Sequence, residues 1–115
     1  MNEIEINITD NFDKEAKRLI KRYKSLKQEL ADLIKSLVDS PFQGSDLGGG
    51  VHKIRLAITS KGKGKSGGAR VISHVDVLLE SMSGTVSLLS IYDKSEQSTI
   101  SDKRIQQLLK AAGLK

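Results

Sequence analysis

The first third of the chain predicts one strand followed by a helix. Residues 3–8 place isoleucine at every second position, the spacing of a half-buried β-strand. Thr9 or Asp10 then provides an N-cap ahead of apolar positions with helical spacing. These positions are Phe12, Ala16, Leu19, Ile20 and Tyr23.

A second helix is predicted directly after the first. Ser25, with Gln28 three residues later, has the form of a capping box. The apolar positions that follow are Leu26, Leu30, Leu33, Ile34, Leu37 and Val38, and Pro41 ends the pattern. Two adjacent helices with a short junction predict a helical hairpin. Most of their basic residues lie opposite the apolar stripe, which indicates a solvated face or a secondary nucleic-acid contact.

Residues 42–50 are rich in glycine and polar side chains and are predicted as a loop. Residues 51–59 alternate again, with His52, Ile54, Leu56 and Ile58 on one face. We expect that face to pack on the helices, so that partial burial is the favoured role of His52. Lys53 and Arg55 then share the opposite, open face of the sheet.

The remaining pattern predicts two strands and a last helix. Residues 69–79 and 85–92 read as strands joined by a turn at 81–84, and residues 101–114 form an amphipathic helix. The predicted order is β-α-α-β-β-β-α. This is the pattern of a single α+β domain over residues 1–115, with a small, largely antiparallel sheet packed on the N-terminal helical hairpin.

Composition excludes several kinds of site. The 115 residues contain no cysteine and only two isolated histidines, so disulfides and a zinc centre are not expected, and nothing indicates a cofactor. No apolar run approaches a membrane span, and the N-terminus lacks signal-peptide features, which favours a cytoplasmic protein. Aromatic residues are scarce, so recognition of bases by stacking is disfavoured against contact with phosphate and sugar.

The positive charge is concentrated in one stretch. The chain carries a net charge of +5, and no acidic residue occurs between Asp46 and Asp76. The basic residues of that stretch are Lys53, Arg55, Lys61, Lys63, Lys65 and Arg70. Without these six, the basic and acidic side chains nearly cancel. Such a local field favours a phosphate-bearing partner.

The glycine-rich part of this stretch does not predict a nucleotide site. Residues 62–67 match G-x-G-x-x-G, but a strand follows them instead of the helix that must receive a pyrophosphate. A Walker loop fails as well, because its first glycine would fall at Thr59. We therefore predict a hairpin tip whose lysines bind phosphate, with a flexible solvated loop as the alternative.

Three further residues are candidates for the site. Tyr92 and Lys94 stand at the end of the last strand and can reach the same open face as Arg70 if the two strands pair. The alternative for them is an ordinary strand end. His74 shares strand parity with Arg70 and is a possible acid or base.

Three segments lie behind a strand and a helical hairpin: K-I-R at 53–55, G-K-S-G-G-A-R-V-I at 64–72 and Y-D-K-S-E at 92–96. In combination they resemble the RelE/ParE toxin superfamily, in particular HigB-like toxins. The resemblance implies a sheet packed on two helices with an active site on its open face. It implies a ribosome-dependent endoribonuclease that cuts messenger RNA in the A site. The implied partners are the ribosome with its 16S rRNA and an antitoxin with a helix-turn-helix DNA-binding domain.

Cleavage without a metal can use the neighbouring 2′-hydroxyl as nucleophile. Arg70 and Arg55 suit charge stabilisation, Lys53 or Lys94 suits the base, and Tyr92 suits the acid or a stacking support. Lys61, Lys63 and Lys65 suit the backbone of ribosomal RNA. Two alternatives stay open: a ParE-like toxin that inhibits DNA gyrase, and a nucleic-acid-binding module without activity.

Overall fold

The computed structural model describes residues 3–62, 64 and 66–114. Its strands are β1 (Glu3–Ile8), β2 (Ser45–Gly48), β3 (Val51–Leu56), β4 (Ala69–Leu78) and β5 (Ser83–Asp93). Its helices are α1 (Asp10–Arg22), α2 (Leu26–Asp39) and α3 (Asp102–Ala111), and a single 3-10 turn spans Thr59–Lys61. The predicted α+β class and the predicted helical hairpin are confirmed.

The five strands form one mixed sheet in the order β1-β5-β4-β3-β2. β1 runs parallel to β5, whereas the other neighbours are antiparallel. The predicted loop at 42–50 is partly wrong, because it contains the edge strand β2, in which Ser45 pairs with Lys53. Glycine-rich sequence hides such a strand, since its pairing uses backbone groups alone.

The two helices of the hairpin begin differently. Thr9 caps α1 as predicted, because its hydroxyl accepts a hydrogen bond from the amide of Phe12 at 3.3 Å. The predicted capping box at Ser25 is wrong: Ser25 has helical backbone angles and makes no cap bond. Its hydroxyl instead donates to Glu29 at 2.9 Å and accepts from the amide of Ser60 at 2.9 Å. The Ser25 side chain thus connects the hairpin to the 3-10 turn.

Both faces of the sheet are covered by helices. The hairpin packs on one face, where it encloses a core that includes Leu19, Leu37, Ile54, Val71 and Leu88. On the other face, α3 packs on a second, smaller core made of Val51, Ile72, Leu89, Tyr92, Ile105, Leu108 and Leu109. The expectation of an open face opposite the hairpin is therefore wrong. Apolar side chains on both faces of the central strands require a cover on each side.

No helix in the described part of the chain is long and apolar enough to cross a membrane.

Candidate active site

Three site candidates lie side by side across the sheet. Arg70 on β4 pairs with Arg55 on β3 and with Tyr92 on β5. Directly opposite residues on neighbouring strands have Cβ atoms about 4.5–5.5 Å apart, so the three side chains share one row on the α3 side. Two like charges directly opposite each other destabilise a sheet. Such an arrangement is typical of a site that receives an anion.

Arg70 is the buried member of this row, since only 5% of its surface is exposed. Its guanidinium donates to the carbonyl oxygens of Ala69 at 3.1 Å and Ser66 at 3.2 Å. The second bond reaches the glycine-rich segment that precedes β4. Arg70 thereby connects that segment to the row.

Tyr92 is also buried, with 3% of its surface exposed, and its ring belongs to the core beneath α3. Burial raises the pKa of the Tyr92 phenol, while the positive charge of Arg70 and the Thr99 side chain act in the opposite direction. The phenol therefore keeps its proton at neutral pH. In chemical terms it can donate a proton and is unsuited to be a general base.

The other predicted cations border this row. Arg55 is exposed and Lys53, two residues before it on the same face of β3, is half-buried. Neither forms an ion pair with any carboxylate that the structure describes. Lys94 is half-buried, and its ammonium donates to the carbonyl of Ser98 at 2.6 Å. Lys53 and Arg55 are thus available to an external anion, whereas Lys94 is tied to the segment before α3.

His74 lies apart from the row. It pairs with Val51 and Ser87, four residues from Arg70 along β4, which is about 13 Å at about 3.3 Å per residue. The apolar side chains of Ile72 and Leu89 belong to the core between them. His74 is therefore separated from Arg70 along the strand, and its acid or base role stays a prediction. His52 is buried on the hairpin side, as expected.

Lys61 does not occupy the position predicted for it. Its ammonium forms an ion pair with Asp93 at 2.5 Å, and the two side chains are 10% and 0% exposed. A buried and paired ammonium is not free to bind an RNA backbone, so the predicted RNA contact of Lys61 is corrected to a structural one. Lys63 and Lys65, the two other predicted RNA contacts, lie outside the described residues.

Comparison with known proteins identifies the family. The model of the family described as RelE toxin of the RelE/RelB toxin–antitoxin system matches residues 5–114, nearly the whole chain. This chain belongs to the RelE toxin family. It is therefore the toxin of a toxin–antitoxin pair, with an antitoxin as its partner.

Two further comparisons concern solved structures and curated protein sequences. A solved structure of the E. coli toxin RelE in the free state, with two arginines replaced by alanine, aligns with 14% sequence identity. The alignment covers 85% of this chain and 90% of that chain, with a TM-score of 0.49. No curated protein sequence matches the chain.

The RelE-family chain also contains a buried carboxylate, Asp93, which was not among the predicted site residues. The carboxylate of Asp93 accepts hydrogen bonds from Lys61, from the Tyr23 hydroxyl at 2.5 Å, and from the amide and hydroxyl of Ser95 at 2.9 and 2.7 Å. Burial alone would raise the pKa of Asp93, but the bonds from Lys61, Tyr23 and Ser95 hold it well below its usual range. One feature of the sequence indicated this carboxylate, since Asp93 lies on the same strand face as the apolar Ile91. A carboxylate buried at such a position must be paired.

No group of three or more histidine, aspartate or glutamate side chains that could hold a metal ion occurs among the residues the structure describes.

Proposed function

We propose that this RelE-family toxin is an endoribonuclease that cuts messenger RNA in the ribosomal A site. The observation that carries the proposal is the row of Arg55, Arg70 and Tyr92. It combines two permanent cations with one protonated phenol, and Lys53 and Lys94 border it. This set of groups matches the demands of a phosphodiester reaction, namely charge neutralisation at phosphorus and two proton transfers.

The proposed reaction is an attack by the 2′-hydroxyl of the RNA on the adjacent phosphorus. The hydroxyl gives its proton to a base, its oxygen forms the new P–O bond, and the 5′-oxygen leaves with a proton. The products are a 2′,3′-cyclic phosphate and a 5′-hydroxyl. Lys53 or Lys94 is proposed as the base. Tyr92 is proposed as the acid.

Arg55 and Arg70 are proposed to stabilise the negative charge that develops on the phosphate. The planar fork of a guanidinium binds two phosphate oxygens at once, and it stays charged at every physiological pH. In the described conformation Arg55 reaches solvent, whereas Arg70 lies beneath the cover of the sheet. Contact of Arg70 with RNA therefore requires a shift of the residues that cover it.

The partners follow from the family and from the two motifs. The resemblance of the segments 64–70 and 92–96 to HigB-like toxins supports an antitoxin with a helix-turn-helix domain. The concentration of cations on one stretch supports action on the ribosome, where 16S rRNA offers a dense array of phosphates.

Mapping of RNA ends tests the proposed activity. The toxin is expressed briefly in translating cells, and messenger 5′ ends are sequenced together with an in vitro reaction on purified ribosomes. We expect cuts phased with codons, bearing a 5′-hydroxyl and, upstream, a 2′,3′-cyclic phosphate. Intact messenger with inhibited gyrase supercoiling would contradict the proposal and identify a ParE-like toxin. Intact messenger and normal supercoiling would leave a nucleic-acid-binding module.

Lys63 and Lys65 are expected to set the salt dependence of ribosome binding. Each lysine that neutralises a phosphate releases counterions and steepens the fall of affinity with salt. In an inactive Arg70→Ala background, the double change Lys63→Ala and Lys65→Ala should reduce the slope of log K against log salt by about 1.5. The control is Lys35→Ala with Lys110→Ala, which removes the same charge from two exposed helix positions. An unchanged slope in the variant with Lys63→Ala and Lys65→Ala would contradict this role.

A further inference from the structure

Asp93 stands between two residues of the candidate site but faces away from it. Tyr92 and Lys94 point to the α3 side of β5, whereas Asp93 pairs with Ala69 of the hairpin core. Its side chain is completely buried. Whatever holds this carboxylate therefore also fixes the backbone from which the side chains of Tyr92 and Lys94 project.

The partners of Asp93 come from three separate parts of the chain. Lys61 belongs to the 3-10 turn, Tyr23 follows α1, and Ser95 lies just past β5. The Lys61 ammonium also lies 5.7 Å from the centre of the Tyr23 ring, within cation–π range. The carboxylate thus joins the hairpin, the turn and the strand end at one point.

The 3-10 turn is held by a second set of bonds as well. The amide and hydroxyl of Thr59 donate to Glu29 at 2.8 and 2.6 Å, and the amide of Ser60 donates to Ser25. The turn is the first end of the glycine-rich segment that continues to Gly68. Its position is therefore set by hydrogen bonds to Ser25 and Glu29 at the hairpin junction.

The second end of that segment is fixed on the site itself. The amide of Lys94 donates to the carbonyl of Gly68 at 3.0 Å, and Arg70 donates to Ser66. Gly68 packs so closely that an added Cβ would lie 2.2 Å from the carbonyl oxygen of Leu56. One end of the segment is consequently held by Asp93 and the other by the neighbour of Asp93, Lys94.

We propose that Asp93 is a positioning residue of the candidate site, which holds Lys61 and thereby fixes residues 59–62, 64 and 66–68 and the β5 end relative to Arg70. The proposal rests on the proposed RNA cleavage, because the groups it positions are those assigned to that reaction. Asp93 itself does not touch the substrate, since it lies on the hairpin side of the sheet.

A double variant separates positioning from stability. Asp93→Asn alone would leave the Lys61 charge buried without its counter-charge, and loss of folding would hide any other effect. Asp93→Leu combined with Lys61→Met removes both charges and keeps similar volumes, a change that is often neutral for stability. The matched control is Glu96→Gln, which removes a nearby carboxylate that is exposed and paired with Arg18 and Arg22.

Two measurements are made on variants whose thermal unfolding midpoints match the wild type. In single-turnover cleavage on ribosomes, we expect the double variant to lose at least tenfold in rate at saturating ribosome, and Glu96→Gln to stay within twofold. In amide hydrogen exchange, we expect at least tenfold faster exchange at residues 59–62, 64, 66–68 and 94, with the centres of β4 and β5 unchanged. A double variant with too low a midpoint is replaced by Asp93→Asn with Lys61→Met.

Each result decides the proposal. Unchanged exchange in the segment overturns it, and so does faster exchange with an unchanged cleavage rate. If the wild-type toxin itself cuts no RNA, the proposed function fails, and the exchange measurement alone then decides whether Asp93 positions the segment. Faster amide exchange together with slower RNA cleavage in the double variant supports both the proposed function and the positioning role of Asp93.

Discussion

Replacing Arg70 with alanine is expected to abolish growth arrest when the toxin is expressed without its antitoxin. The guanidinium is assigned to the charge that develops on the phosphate, and the loss of one such donor typically costs a factor of about 10²–10³ in rate. No side chain in the row duplicates its place between β3 and β5. Growth after induction and messenger cleavage on ribosomes measure the effect.

The control for this experiment is Arg70→Lys. Lysine keeps the positive charge but lacks the planar fork, so we expect a stable protein with strongly reduced cleavage. Both variants should still bind the antitoxin, which shows that the fold is intact. Undiminished growth arrest by Arg70→Ala would refute the assignment of the site to this row.

Lys61→Met as a single change is expected to destabilise the toxin strongly. It leaves the carboxylate of Asp93 buried without its counter-charge, and breaking a buried pair in this way costs about 3–5 kcal/mol. Urea denaturation at neutral pH measures the free energy of unfolding. Lys17→Met, which breaks an exposed ion pair with Asp13 on α1, should leave the urea midpoint nearly unchanged. If Lys61→Met has the same urea midpoint as the wild type, the structural role of the Lys61–Asp93 pair is contradicted.

The same pair predicts how stability depends on pH. The pKa of Asp93 is lower in the folded protein than in the unfolded chain, where it is about 3.9. The stability that this difference supplies is complete above the unfolded pKa and is lost as the pH falls from there towards the folded pKa. The urea midpoint of the wild type should therefore decrease below about pH 4. The decrease should be smaller in the double variant Asp93→Leu with Lys61→Met, which has no carboxylate at this position.

The helical hairpin and the strand faces were predictable from local periodicity. The alternation of residues 51–59 correctly separates Ile54 from Lys53 and Arg55, since strand parity is a local property. The row of Arg55, Arg70 and Tyr92 needed one more assumption, namely that β3, β4 and β5 are neighbours. The short turn between β4 and β5, and the tendency of consecutive strands to be neighbours, made that assumption sound.

The packing of α3 on the second face of the sheet was predictable from the sequence only in part. Val51 and Ile72 are apolar at positions on the face that was expected to be open, and α3 has an apolar stripe without an assigned partner. These two signals had to be combined across more than 50 residues of sequence. The Lys61–Asp93 pair was also hard to predict from the sequence. A lysine in a glycine-rich run indicates an exposed side chain, and its buried partner lies 32 positions later.

The parallel pairing of β1 with β5 has a consequence for how the chain folds. Asn7 and Ser87 bond across this pair although they are 80 positions apart in sequence. β1 lies at the edge of the sheet, next to β5. Pairing over so long a separation is slow, because the entropy of closing the intervening loop is lost before the contact forms. During synthesis the first strand therefore stays outside the sheet until β5 has left the ribosome, and the sheet is completed only after β5 is available for pairing.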